Sequence, residues 1–166
     1  MNMFVKVRTD EQIIQVEHLA RIIWKEYFSA MVGSDIVDYL LETLQSRRAI
    51  SDQIREGYRY FIIQPEGNAV GYFAILHKKE SDEMFLSKLY LLASERGKGR
   101  GKAAMQYIES AARKENCKKI SLTVFHKNTD TIAAYEKMGF TQTGSVMRDV
   151  GNNIVIHDFC MEKILH

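Results

Sequence analysis

The sequence predicts an α/β (α+β) fold in a single domain covering residues 1–166, and three observations carry that prediction. Up to Gly57, apolar residues recur at helical spacing; from Tyr58, aromatic and β-branched runs alternate with turn chemistry; and between Met84 and Phe125 a strand, a basic glycine-rich turn, a helix and a strand follow one another. A chain of 166 residues that is 46% hydrophobic and 27% charged is long enough, and apolar enough, for one proper core.

The elements follow in order. Met3 to Arg8 alternates like a short strand, and Thr9 with Gln12 forms a capping box for the next helix. Ile13, Val16, Ala20, Ile23 and Tyr27 make one buried stripe through about Ser29, with Gly33 as the stop. Ser34 is placed to cap a second helix whose apolar side holds Ile36, Tyr39, Leu40 and Leu44, and Ser51 to Glu56 reads as a short helical piece ending at Gly57. Tyr58 to Gln64 and Ala69 to His77 are strands, and Pro65-Glu66-Gly67-Asn68 turns the chain between them into an antiparallel hairpin. After the polar turn Glu80 to Glu83, Met84 to Leu91 continues the sheet. A helix then runs to about Asn116 with Ala104, Ile108, Ala111 and Ala112 inward, and Ile120 to Phe125 is a strand; this βαβ order makes the two strands parallel neighbours or near neighbours. Asp130 to Met138 is a short helix capped by Thr129 or Asp130 and closed by Gly139. Thr141 to Arg148 and Ile154 to Lys163 form a last hairpin about Gly151-Asn152-Asn153.

Composition excludes several function classes. No run approaches the ~20 apolar residues of a membrane span, and Met1 to Asp10 lacks the apolar stretch of a signal peptide, so the expectation is a cytoplasmic protein with no membrane partner. Cys117 and Cys160 are too few for a disulfide framework or a zinc site, which leaves two reduced, buried thiols and no metal. A net charge of +2 gives no argument for nucleic acid. The charge is unevenly spread: residues 1–42 hold seven acids against four bases, a net −3 that leaves +5 for the remainder.

Residues Arg96-Gly97-Lys98-Gly99-Arg100-Gly101 are the most informative segment. Glycines let a backbone turn its N–H groups toward a ligand, the following helix adds the positive end of its dipole, and Arg96, Lys98, Arg100 and Lys102 add charge against a single nearby acid, Glu95. This is the chemistry of a phosphate cradle; the alternative is a solvated basic turn. Two familiar phosphate loops fail here. Ala103 follows Gly101-Lys102 where a Walker A loop needs serine or threonine, and Lys102 stands where a dinucleotide fingerprint needs its third glycine.

The pattern Arg96-x-x-Gly99-x-Gly101 after a strand, followed by Asn128 and by Ala133-Ala134-Tyr135-Glu136-Lys137-Met138-Gly139-Phe140, resembles the GNAT superfamily of acyl-CoA N-acyltransferases. The likeness covers about residues 58 to 163, with the helices before it matching in number and placement. It implies a mixed, mostly antiparallel sheet of about seven strands with helices on both faces and a V-shaped splay between two central parallel strands, where acetyl-CoA binds as co-substrate. On that resemblance the backbone of Leu89, Tyr90 and Leu91 bonds the pantetheine arm, and the Leu91 N–H meets the acyl oxygen, where it would stabilise growing negative charge. The N–H groups of residues 96–101 take the diphosphate, Lys98, Arg100 or Lys102 reaches outer phosphates, Asn128 bonds the pantetheine, and Lys137 meets the nucleotide end.

Tyr135 is the general acid the resemblance implies. A phenol near pKa ~10 donating to a thiolate near ~8.5 is uphill by about 2 kcal/mol, so strong hydrogen bonding describes the contact better than full transfer unless burial disfavours the thiolate. The general base is open. The strand that carries a glutamate in many family members reads Phe85-Leu86-Ser87-Lys88-Leu89, leaving Glu83, His126, His157, Asp158 or a water chain. The layout of Trp24-x-x-Tyr27-Phe28, Asp38-Tyr39-Leu40 and Lys88-Leu89-Tyr90-Leu91 looks like the bacterial polyamine-acetyltransferase type, and the acidic excess of residues 1–42 suits a cationic amine. The expected function is acetyl transfer from acetyl-CoA to a small-molecule or peptide amine, with a homodimer left open. The alternative is an inactive acyl-CoA-binding sensor or assembly module.

Overall fold

The structure is a computed structural model that describes residues 2–166; Met1, and with it the start of the segment read for a signal peptide, lies outside the described residues. Among the described residues seven strands follow the hydrogen-bonded order β1-β2-β3-β4-β5-β7-β6. The sheet is mixed and mostly antiparallel, as expected, with β4 (Glu83–Leu91) parallel to β5 (Lys119–Phe125). The chain divides into two compact units, Met1–Leu76 with Lys88–Gln106, and His77–Ser87 with Tyr107–His166.

The first unit holds β1 (Phe4–Lys6), α1 (Asp10–Val32), α2 (Ser34–Leu44), α3 (Arg47–Arg55), β2 (Arg59–Ile63), most of β3 (Gly71–Lys78), the end of β4 and the start of α4 (Arg100–Lys114). Thr9 and Gln12 close the capping box reciprocally, Gln12 N–H donating to Thr9 Oγ1 at 3.2 Å and Thr9 N–H to Gln12 Oε1 at 3.0 Å. Val16, Ala20 and Ile23 on α1, Val37 on α2 and Ile50 on α3 are fully buried, with Tyr60, Tyr72 and Phe73 of β2 and β3. Two helix starts differ from the sequence reading. Ser34 is already inside α2, because Gly33, at φ +91°, occupies the capping position and makes no side-chain bond. The third helix begins earlier than Ser51, because the Ser46 hydroxyl accepts the Ala49 N–H at 3.2 Å and caps Arg47–Arg55. The β2–β3 hairpin is antiparallel from Arg59↔Ile75 to Ile63↔Gly71.

The second unit holds the start of β4, the rest of α4, β5, α5 (Thr129–Lys137), β6 (Thr141–Gly151) and β7 (Ile154–Ile164). The parallel ladder runs from Glu83↔Lys119 to Leu86↔Leu122, and β7 pairs antiparallel with β5 on one side and β6 on the other. Met84, Ile108, Ala112 and Ile120 are fully buried. The β6–β7 turn uses Asn152 and Asn153 at positive φ, which asparagine tolerates better than most residues. Neither Thr129 nor Asp130 caps α5: the capping position belongs to Asn128, whose side chain forms no capping hydrogen bond. Both cysteines are reduced, Cys117 buried as expected and Cys160 half-buried. Among the described residues no helix is long and apolar enough to cross a membrane, and no group of three or more His, Cys, Asp or Glu is placed to hold a metal ion.

Candidate functional site

In the first unit the end of β4 and the turn after it form one construction. Gly71 lies so close to β4 that an added Cβ would stand 2.2 Å from the Tyr90 carbonyl oxygen and 2.9 Å from Leu91 Cδ2, and Leu92 N–H donates to the Val70 carbonyl at 2.9 Å. This fixes the backbone of Tyr90 and Leu91. The chain then passes Ala93–Glu95, held to α1 because the Ala93 N–H donates to Glu26 Oε1 at 2.9 Å. Gly97 and Gly99 have φ of +75° and +79°, a region that side-chain-bearing residues enter at a cost, and a Cβ on either would meet nothing within 4 Å. The space over the turn is open. Because Ala103 N–H donates to the Gly99 carbonyl at 3.0 Å, the N–H groups of Arg100, Gly101 and Lys102 head α4 without intrahelical acceptors.

The basic side chains are arranged differently from the sequence expectation. Arg100 Nη1 bonds Glu95 Oε1 at 2.5 Å and Lys98 Nζ bonds Glu95 Oε2 at 3.2 Å, so one carboxylate takes up both charges. Arg96 folds back, its guanidinium 3.7 Å above the Tyr27 ring and its Nη2 donating to the Leu91 carbonyl at 3.3 Å. Lys102 is exposed. What the turn offers an anion is therefore chiefly backbone N–H groups and a helix terminus. Tyr90 packs against Trp24, Phe28 and Tyr72, with ring centroids 5.6, 6.3 and 5.5 Å away, which ties the aromatic segment of α1 to β4. An open depression of about 540 Å³ elsewhere in this unit is lined by Glu17, Glu42, Asp52, Arg47, Arg48 and Arg55, and it includes none of the predicted site residues.

In the second unit, Asn128 is 6% exposed and Tyr135 8% exposed, with the Tyr135 ring 5.5 Å from that of Phe140. The Phe140 N–H donates to the Tyr135 carbonyl at 3.0 Å after Gly139 turns the chain at φ +99°. Lys137 is exposed. The base candidates separate by their surroundings. Asp158 is 3% exposed and bonded by Arg148 Nε at 2.8 Å, a structural ion pair. Burial pushes the Glu83 carboxyl up, but the hydroxyls of Ser121 and Ser81 and the charges of Lys78 and Lys119 outweigh it and hold the carboxyl below its ordinary value, which makes it a weaker base. His126 Nδ1 donates to the His157 carbonyl at 2.9 Å, so in the neutral ring the lone pair sits on Nε2, and the two imidazoles stack at 4.5 Å. Leu89–Leu91 and residues 96–102 thus share one unit, and Asn128, Tyr135 and Lys137 share the other.

A model of the acetyltransferase (GNAT) family matches residues 16–140. The chain belongs to the GNAT family of acetyltransferases. The family match starts on α1, so it takes in the helices that in the sequence agreed with the family only by number and placement. Among GNAT relatives, the uncharacterized N-acetyltransferase YdgE of Bacillus subtilis is 28% identical over 114 residues, 63% of this chain and 71% of that protein. The uncharacterized N-acetyltransferase YycN of the same organism is 36% identical over 84 residues, 49% of this chain and 54% of that protein. The crystal structure of PaiA N-acetyltransferase from Thermoplasma acidophilum in complex with coenzyme A superposes with a TM-score of 0.80 at 18% identity, covering 99% of this chain and 100% of that one, a likeness of fold.

Proposed function

We propose that this GNAT-family chain transfers the acetyl group of acetyl-CoA to a primary amine by direct attack, and that the acceptor is a small cationic amine of polyamine type. The observation that carries the reading is the turn of residues 96–99, where two left-handed glycines open the space above the backbone at the head of α4. When bound, acetyl-CoA supplies an activated acyl carbon and a thiol leaving group. The N–H groups at the head of α4 hold the diphosphate, with exposed Lys102 at its rim. The backbone of Leu89–Leu91, pinned by Gly71, lies along the pantetheine arm, and the Leu91 N–H faces the acyl oxygen. Asn128 bonds the arm, Lys137 serves the nucleotide end, and the Tyr135 hydroxyl donates to the departing sulfur.

The acidic excess of residues 1–42 supports a cationic acceptor, narrowed by two commitments. Glu17 accepts the Arg47 N–H at 2.6 Å and Glu26 accepts the Ala93 N–H, which leaves Asp10, Glu11, Asp35, Asp38 and Glu42 as the acids to test, with Asp38 3.9 Å from the Lys25 ammonium. The test is thiol release from acetyl-CoA with a panel of polyamines, lysine peptides, aminoglycosides and amino acids. Release with a polyamine above the amine-free rate is the expected result, and release only with amino acids or peptides would end the polyamine part.

A second reading, an acyl-CoA-binding module without chemistry, is favoured by one observation: β4 carries no carboxylate between Phe85 and Leu91, while Glu83 and Asp158 are engaged elsewhere. It predicts CoA binding by calorimetry with no turnover on any amine, and detectable acetylation sinks it.

A further inference from the structure

Met84, Leu86 and Lys88 are successive buried positions of β4, so a lysine, 7% exposed, stands where the alternation calls for another apolar residue. No carboxylate pairs with it among the described residues. Its ammonium donates to the Leu44 carbonyl at 2.9 Å, to Gln53 Oε1 at 2.9 Å and to the Tyr60 hydroxyl, and it lies 5.0 Å from the centre of the Tyr60 ring. Three N–H donors meet three neutral oxygens. The network closes on itself, because Gln53 Nε2 donates to the same Leu44 carbonyl at 3.2 Å and the Tyr60 hydroxyl donates to Gln53 Oε1. Leu44 is the last residue of α2, so its carbonyl belongs to the negative end of that helix and has no acceptor role within it.

A buried ammonium without a counter-ion is costly, and a methionine of similar length would fill the same space without that cost. What methionine cannot supply is three directed donors, which here tie the end of α2, the last turn of α3 and β2 to the residue just before Leu89–Leu91. We infer that Lys88 is a positioning residue of the acetyl transfer, fixing α2 and α3 on the cofactor-binding strand and so setting how the acceptor amine meets the acyl donor. The inference rests on the acetyl-transfer reading above. The titratable groups around Lys88 are phenols: Tyr60 directly, then Tyr72 stacked on Tyr60 at 6.4 Å and Tyr90 against Tyr72. Burial pushes the Tyr60 and Tyr72 hydroxyls well above their ordinary range, so they stay neutral, and burial pulls Lys88 down to about 7. Above that value the amine keeps two hydrogens for three acceptors.

The test uses steady-state kinetics of wild type, Lys88→Met and Gln53→Leu with acetyl-CoA and the best amine of the panel. Both variants are expected to raise the acceptor KM on the order of tenfold while the acetyl-CoA KM stays within about twofold, as misplacement of one reactant predicts. The ratio of wild-type to Lys88→Met acceptor KM should climb toward one as pH rises through about 7. Gln53→Leu carries the test if Lys88→Met does not fold. An unchanged acceptor KM in a folded variant, both KM values rising together, or failure of both variants to fold would overturn the inference. A wild type that releases no thiol with any amine instead removes the acetyl-transfer reading itself, and this inference with it.

Discussion

The turn of residues 96–99 in the first unit and the segment Asn128–Phe140 in the second offer their candidate groups in different ways. In the turn the groups are backbone N–H donors, aimed by two left-handed glycines, while Lys98, Arg100 and Arg96 are occupied by Glu95, Tyr27 and the Leu91 carbonyl. In the segment they are side chains, Asn128 and Tyr135, held by burial. A site made of backbone is damaged by adding a carbon or forbidding a dihedral angle. One made of side chains is damaged by removing a single polar atom from an intact fold.

The largest effect should come from the backbone side. Gly71→Val places methyl groups where even a Cβ meets the Tyr90 carbonyl at 2.2 Å, so a melt should show a loss of about 3 kcal/mol or more, with CoA binding lost alongside. A variant that folds and binds normally would show that β4 is not pinned there. On the side-chain side, Tyr135→Phe should lower kcat on the order of 100-fold while leaving the fold and the acetyl-CoA affinity in place. Normal turnover would remove Tyr135 as the acid, and a loss of affinity instead would recast it as a binding residue.

Much of this architecture is legible in the sequence because it rests on local chemistry. The Thr9–Gln12 capping box, the turn at Pro65–Asn68, the crossover from β4 through α4 to β5 and the asparagine turn before β7 all follow from residues close together in the chain. What escapes depends on distant partners. Ser46 lacks an apolar stripe behind it to announce a helix; Gly71 looks like any strand glycine until Tyr90 lies against it; and Glu95, read as a lone opposing acid, takes both Lys98 and Arg100. Lys88 did carry a signal, a charge on the apolar side of a strand after Met84 and Leu86, but its partners on α2, α3 and β2 are fixed only by folding.

Lys88, in the first unit beside Leu89–Leu91, gives a pH dependence that neither the turn nor the Asn128–Phe140 segment supplies. Above about 7 the folded protein has released this proton, whereas the unfolded chain holds it to near 10.5, so the unfolded state binds more protons and stability rises with pH between those values. Chemical denaturation should show wild type gaining up to about 1.4 kcal/mol per pH unit relative to Lys88→Met across this window. Parallel curves would mean that Lys88 titrates in the folded protein as it does in water. The smallest effect returns to the turn. Glu95→Gln releases Lys98 and Arg100, and should raise CoA affinity by less than about threefold, an increase that fades at high salt. A large increase that salt abolishes would mean that side-chain charge, and not backbone, dominates the turn.

The most direct measurement is calorimetric titration of wild type and a Gly97→Ala, Gly99→Ala double variant with CoA and with pantetheine, which lacks the diphosphate. An added Cβ meets nothing within 4 Å at either position, so the variant should fold with strain of about 1–2 kcal/mol per residue in the turn. A backbone-built diphosphate site predicts that wild type prefers CoA on the order of 100-fold, and that the variant keeps its pantetheine affinity while losing most of that preference. A double variant that retains the wild-type preference for CoA would contradict it.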